Sequence, residues 1–249
     1  KNWLIFTVKR WVYIWLNKRV VKKSKLLITP TEFVKNDVEN FTGVSPKKIT
    51  VTLESADKIT DEPEPNEELR NSRFIMYVGR PTPHKNLRRL IVAFSELQKE
   101  HADLHLVFVG KEDENSDEHK RFIEKEKIRN TLYTGFVSEG SLRWLYENTA
   151  CYCFPSLSEG FGLPGLEAQI HGAPVAASDA TCIPEVLGDG AHYFDGLDEG
   201  DMKDKIAEVV SDEKLSKKLV ANGSKNAERF SWHRMAKQTL EVFDQALKD

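Results

Sequence analysis

Glu159 and Glu167 stand eight positions apart in SEGFGLPGLEAQIHGAPVAASD, residues 158–179, with a Gly-Phe-Gly-Leu-Pro turn between them. A carboxylate accepts two hydroxyl hydrogen bonds well, as from the diol of a ribose or a hexose. Eight residues of helix rise about 12 Å, and the entering turn changes this only modestly, so the pair is too far apart to share one proton. The two carboxylates suit opposite ends of one elongated ligand. A second constellation, GRPTPHKN, holds Arg80 and Lys85 close together, with His84 as a turn residue and Asn86 as a cap for the next helix. A guanidinium fork and an ammonium match phosphate oxygens. Taken together, the two groups give the order sugar, diphosphate, ribose, which describes a nucleotide sugar.

These residues need elements that bring them together. From residue 73 the chain alternates: strand 73–79, helix 86–101, strand 104–110, a helix around 119–128, strand 131–135, helix 139–148 and strand CYCFP. Apolar runs separated by helices predict a parallel sheet covered on both faces, hence a doubly wound Rossmann-like α/β fold. Three of the strands end in glycine, at Gly79, Gly110 and Gly135. One such glycine reads as a tight turn, but three aligned ones read as a ligand crevice beyond the carboxyl ends of the sheet. Gly160, Gly162 and Pro164 then lead into an apolar helix with Leu166, Ala168 and Ile170, stopped at Gly172. Its N-terminus offers free peptide N–H groups and a partial positive charge to an anion. The last two helices, near 215–229 and 232–247, are amphipathic.

Upstream, a basic, aromatic segment at 2–25 precedes a short apolar run at 26–29. Thr31 is placed to cap a helix carrying Phe33, Val34, Val38 and Phe41, which Gly43 ends, and residues 49–53 form a strand candidate. TDEPEPNEELRNS, 60–72, is acidic, has two prolines and little to bury, and reads as a linker. The predicted layout is 1–59 as the remnant of one domain, 60–72 as the linker and 73–249 as a nucleotide-sugar domain. Trp3, Trp11 and Trp15 among lysines and arginines suit an anionic membrane surface as well as a contact with another domain.

Composition excludes several classes. The 249 residues are 40% hydrophobic and 30% charged with a net charge of −3, so nothing draws the whole chain to nucleic acid and any anion site must be local. Cys151, Cys153 and Cys182 form neither a disulfide framework nor paired zinc spacings, which points to a reducing, cytoplasmic setting; the first two share one face of a strand as packing. The chain starts at Lys1 rather than Met, without a signal-peptide pattern or an apolar run of about 20 residues, and reads as an internal piece. No Asp-x-Asp metal site occurs, so no metal and no cofactor are expected, the nucleotide sugar being a substrate. A glycoside hydrolase would set its two carboxyls within about 10 Å and raise one pKa, and neither glutamate suggests this. A module that binds a nucleotide sugar without transferring it is the other alternative.

The stretches YVGRPTPHKNLRRLIVAF, GFVSEGSLRWLYENTACYCFPSLSEGFGLPGLEAQIHGAPVAASD and IPEVLGDGAHYF resemble, almost continuously from Arg73, the donor half of glycosyltransferase family 4. Its members are retaining enzymes with a B-type fold and a Glu-x7-Glu motif. The resemblance implies that Arg80 and Lys85 bind the diphosphate, that Glu159 contacts the donor sugar and that Glu167 binds the ribose hydroxyls. It puts the backbone of Phe161, Gly162 and Leu163 against sugar and phosphate, and Gly135, Phe136 and Val137 beside the base. It further implies transfer of a hexose, of mannose type, from a GDP- or UDP-linked donor to a glycan or lipid-linked acceptor, in polysaccharide or glycoconjugate synthesis. LLITPTEFVKNDVENFTGVSPKKITVTLESAD resembles the end of the family's acceptor-binding domain, although LESAD replaces its usual Asn-Gly-x-Asp turn. The terminal helix from Trp232 would, by the same resemblance, pack back towards that domain.

Overall fold

The computed structural model describes residues 3–248. In chain order the elements are α1 (Trp3–Lys23), β1 (Leu27–Thr29), α2 (Glu32–Thr42), β2 (Ile49–Val51), β3 (Phe74–Val78), α3 (Leu87–Leu97), β4 (His105–Val109), α4 (Glu114–Lys125) and β5 (Thr131–Gly135). There follow α5 (Glu139–Asn148), β6 (Cys151–Phe154), α6 (Leu163–Ile170), β7 (Val175–Ser178), α7 (Ile183–Leu187), β8 (Ala191–Phe194), α8 (Glu199–Ser211), α9 (Glu213–Ala227) and α10 (Trp232–Lys248). They fall into two compact units, one made of the chain up to Glu54 together with the stretch from Ser231 onward, the other of Ser55–Phe230.

The Ser55–Phe230 unit is built on a six-stranded sheet in the order β5-β4-β3-β6-β7-β8, with every neighbouring pair parallel. Its central strands are continuous apolar runs because helices cover both faces. Ile75 and Tyr77 of β3 and Cys151 and Cys153 of β6 join a core with Leu90, Ile91 and Phe94 of α3 and Met202 and Ile206 of α8. On the opposite face Phe74 stacks on Trp144 of α5 at 6.0 Å and Tyr152 lies against Tyr146 at 5.8 Å. The fold is the doubly wound α/β sheet expected from the sequence, and the two cysteines of β6 pack in its core. The chain winds outward from β3 through β4 to β5, then returns to β6 on the other side of β3. The strand order therefore reverses between β3 and β6, the position at which open α/β sheets take ligands beyond the carboxyl ends of their strands.

Two local expectations are corrected. Helix α4 starts at Glu114 rather than near residue 119, because the Asp113 side chain accepts from the amides of Asn115 and Ser116 while Ser116 Oγ accepts from the Asp113 amide. Its first turn is polar and carries no apolar period, so hydrophobic spacing alone starts the helix too late. The 60–72 stretch has no helix or strand, yet it does bury something. Leu69 is enclosed, the Glu64 amide donates to Gly140 O at 3.1 Å and Arg143 Nη1 donates to Asp61 O at 2.9 Å. The short strands β7, fully buried, and β8, together with helix α8, complete the far side of the sheet.

In the other unit β1 and β2 form a parallel pair, Leu27 opposite Ile49. Thr31 Oγ1 accepts from the Val34 amide at the start of α2, and Gly43, at φ 71°, ends it, both as expected. Lys25 Nζ donates to Ala246 O of α10 at 2.9 Å. Trp3, Phe6, Trp11, Tyr13 and Trp15 of α1 are exposed, and the apolar residues of this helix are spread round it rather than gathered on one side. No helix among the described residues is long and apolar enough to cross a membrane.

Candidate active site

The floor of the crevice is a row of strand-end glycines. The Gly79 amide donates to Val109 O at 2.9 Å and the Gly110 amide to Gly135 O at 3.0 Å, with φ at 140°, 131° and 67° for the three glycines. A Cβ on Gly110 would stand 2.8 Å from Gly79 O, so the neighbouring backbone leaves no room for a side chain. Beyond β5, Phe136 is 92% exposed and Val137 half-buried.

From Gly79 the chain passes through Arg80, whose carbonyl accepts from Tyr77 Oη at 3.2 Å. Arg80 is exposed, and its guanidinium forms no ion pair among the described residues. A single tight turn, Pro83–Lys85, then leads to Asn86. Asn86 precedes α3 as expected, but its side chain does not cap the helix. Its backbone is left-handed, φ 61° and ψ 27°, and Nδ2 donates instead to Pro155 O at 3.1 Å and Gly196 O at 2.7 Å. One side-chain amide thereby serves two carbonyls just beyond the ends of β6 and β8. The Leu157 amide donates to His84 O at 2.8 Å, so the loops after β3 and β6 are tied together directly.

These ties bring the two sequence constellations into contact. Lys85 Nζ lies 2.5 Å from Glu159 Oε1, with the two side chains 18% and 12% exposed. At that depth each charge needs its partner, because removing one leaves the other desolvated and unpaired. Glu159 leads into the turn before α6. Gly162, at φ 98° and ψ 45°, occupies the cap position without a side-chain cap, and Pro164 follows in the first turn. A Cβ on Gly162 would come within 3.0 Å of the Phe154 ring. Phe161 is buried edge-on against Phe230 at 5.7 Å, and Leu163 is half-buried.

Glu167, just over one turn into α6, has a partner of its own. Tyr146 Oη, fully buried on α5, donates to Glu167 Oε2 at 3.2 Å. Burial raises the Glu167 carboxyl above its ordinary value, and the Tyr146 hydrogen bond opposes that shift. This corrects the sequence expectation that neither glutamate carries a raised pKa. The cause is burial, and the group that moderates it, Tyr146, comes from a different helix. His171, at the end of α6, stacks on Tyr146 at 5.3 Å. Its Nε2 accepts from the Ile59 amide at 3.0 Å and Nδ1–H donates to Glu167 O at 2.8 Å, which fixes the neutral ring; burial lowers its pKa.

The structure thus joins Lys85 with Glu159, keeps Glu167 apart with Tyr146, and sets Gly79, Arg80 and Gly135 along the same sheet end. Tyr146, Asn86 as a brace, and Thr181, whose Oγ1 accepts from the Glu159 amide at 3.2 Å, were not found from the sequence. Tyr146 sits in an apolar helical period that hides it, and a left-handed threonine leaves no sequence signal.

A family model described as "Glycosyl transferases group 1" matches residues 58–226. The chain is 30% identical to an MMP alpha-(1->4)-mannosyltransferase of Mycolicibacterium hassiacum, over 96% of this chain and 59% of that protein. It is 28% identical to O-antigen chain mannosyltransferase B of Escherichia coli, over 88% of this chain and 60% of the relative. The chain therefore spans about three fifths of the length of these relatives. Among solved structures it superposes on sucrose-phosphate synthase from Thermosynechococcus elongatus with a TM-score of 0.81 at 17% identity, covering 94% of this chain and 61% of that one. Anabaena HepE in complex with UDP and glucose gives 0.74 at 17% identity, over 89% and 63%. These likenesses show the fold to be that of B-type glycosyltransferases. With the sheet, its reversal point and the matched span in agreement, the chain belongs to the glycosyl transferases group 1 family.

Proposed function

We propose that this chain holds the donor of a retaining hexosyltransferase of the Glu-x7-Glu type, which moves a mannose-type sugar from a nucleoside diphosphate to a glycan or lipid-linked acceptor. The observation that carries it is the Lys85–Glu159 pair, 2.5 Å apart at the reversal point of the sheet and beside the uncapped start of α6. Arg80 and Lys85 face the diphosphate, and Glu159 faces the sugar. Glu167, held by Tyr146, faces the ribose hydroxyls. The backbone of Phe161, Gly162 and Leu163 lies along sugar and phosphate, and Gly135, Phe136 and Val137 flank the base. Departure of a nucleoside diphosphate needs positive charge more than a general acid, and the guanidinium, the ammonium and the helix start supply it. In the retaining mechanism that this reading adopts, the acceptor hydroxyl attacks from the face that the phosphate leaves, and the phosphate helps take its proton.

The names of the relatives favour transfer over mere binding. Residues 1–59 and the terminal helix belong, in this reading, to the acceptor side. The even spread of apolar residues around α1 suits packing inside a domain better than lying on a membrane, which needs one apolar face.

Calorimetric titration of Arg80→Ala and Lys85→Ala with GDP, UDP and the corresponding nucleosides tests the assignment. Each change is expected to weaken diphosphate binding by about 1.5–3 kcal/mol, the usual worth of a charge-assisted contact, and to leave nucleoside binding nearly unchanged. Equal losses for nucleoside and diphosphate would sink it.

A further inference from the structure

Four non-glycine residues among those described have positive φ: Asn86, Lys127, Asn130 and Thr181. Asparagine tolerates that region, but Thr181, at φ 56°, is the one β-branched residue of the four and is strained there. Such a conformation persists only where its surroundings impose it. Here they are the chain of Glu159. Thr181 Oγ1 accepts from the Glu159 amide at 3.2 Å. The next residue, Cys182, is fully buried, and its Sγ lies 3.2 Å from Glu159 O and 3.4 Å from Phe161 O, so one thiol proton serves either carbonyl. Two consecutive side chains of the loop between β7 and α7 therefore hold both backbone polar groups of Glu159, while its carboxylate is held by Lys85. A glycine at position 181 would take this backbone without strain, but it would bring no hydroxyl.

The geometry points to Thr181 and Cys182 as positioning residues that fix the main chain of Glu159 and thereby the placement of its carboxylate against the donor sugar. This rests on the reading of Glu159 as the sugar-contacting carboxylate. The arrangement separates stability from function: the left-handed threonine strains the fold, and its hydroxyl serves the site.

The test compares Thr181→Gly, Thr181→Ala, Thr181→Ser, Cys182→Ala and Glu159→Ala in the full chain, with GDP and GDP-mannose as probes. Thr181→Gly is expected to melt at or above the parent's temperature. It should nevertheless lose roughly three- to tenfold in affinity for GDP-mannose, the worth of one hydrogen bond, with GDP unchanged. Thr181→Ala should show the same selective loss, Thr181→Ser should restore the parent's affinity, and Cys182→Ala should lose in the same direction. Amide exchange at Glu159, followed by NMR without ligand, should quicken in Thr181→Gly and Thr181→Ala and stay at the parent's rate in Thr181→Ser. If Glu159→Ala loses the sugar-dependent affinity while Thr181→Gly keeps it, or if the Glu159 amide stays equally protected in Thr181→Gly, the positioning role is overturned. If Glu159→Ala itself keeps full affinity for GDP-mannose, the sugar contact is wrong, and the positioning role falls with it.

Discussion

Lys85 and Glu159 neutralise each other in a mostly buried pair, which makes the consequences of removing either one unequal. Loss of Lys85 leaves an unpaired carboxylate where an anionic ligand should bind. Loss of Glu159 leaves an unpaired ammonium, which on the proposed reading pairs with the donor's phosphate. Glu159→Ala is therefore expected to bind GDP or UDP at least as tightly as the parent while losing the increment contributed by the sugar. Weaker GDP and UDP binding in calorimetry would contradict this division. Glu167 behaves differently, because burial raises its pKa above the unfolded value. The stability it contributes is complete below the ordinary carboxylate range, about 4.3, and is lost as pH rises through the folded value. Glu167→Gln keeps an acceptor for Tyr146 Oη but has no proton to lose. Denaturant melts should show the variant and the parent alike near the acid end and the variant more stable at neutral pH; a variant less stable at neutral pH would show that the ionised carboxylate is favoured in the fold.

At the scale of the elements, the crevice depends on how closely β3, β4 and β5 end together. The strand-end glycines are not equivalent. A Cβ on Gly110 meets the Gly79 carbonyl, whereas one on Gly135 meets nothing within 4 Å and suffers only its positive φ. Gly110→Ala should therefore destabilise the chain by about 1–3 kcal/mol, and each kcal/mol lowers the melting temperature by about 2–4 °C at this size. Gly135→Ala should cost about 1 kcal/mol, and Gly135→Asn less, since asparagine tolerates the left-handed region. Calorimetric melting of the three variants gives the order, and equal losses at positions 110 and 135 would show that the carbonyl contact does not decide it. The same reasoning explains Asn86. The start of α3 goes without a side-chain cap there, and the loops after β6 and β8 gain the amide instead.

For the molecule as a whole, the Ser55–Phe230 unit has its own sheet and a core on both faces, and every residue proposed to hold the donor lies within it. Transfer also requires an acceptor hydroxyl held near the anomeric carbon with water excluded. That positioning is worth about 7–11 kcal/mol at its upper range, and the chain spans about three fifths of its mannosyltransferase relatives. We expect residues 1–249 by themselves to fold and to bind the nucleotide but to transfer sugar very slowly. A radiolabelled-sugar transfer assay, run beside the same residues joined to an acceptor-binding domain, checks this; comparable turnover by the two would show that the acceptor side is not required. The exposed aromatic residues of α1 should make it the helix most easily exchanged or cleaved.

By itself the sequence determined the doubly wound sheet, because continuous apolar strands alternating with amphipathic helices admit few other packings, and a strand such as FIMYV cannot show a polar face. It also placed Gly79, Gly110 and Gly135 at strand ends and put Arg80, Lys85, Glu159 and the start of α6 beyond them, since a parallel sheet delivers all its carboxyl ends to one edge. Only the tertiary structure decided which groups meet. That Lys85 pairs with Glu159 depends on the strand order, which places β6 beside β3 although 72 residues of winding outward and back separate Gly79 from Cys151. The raised pKa of Glu167 depends on burial that only the packed fold creates, and the Tyr146 hydroxyl that moderates it arrives from another helix. Asn86 serves as a brace rather than a cap because two carbonyls from distant strands lie within its reach. Thr181 stands in a strained conformation because the chain of Glu159 lies beside it. Local propensity and period act over a few residues, whereas the satisfaction of buried polar groups is settled only when the elements have packed.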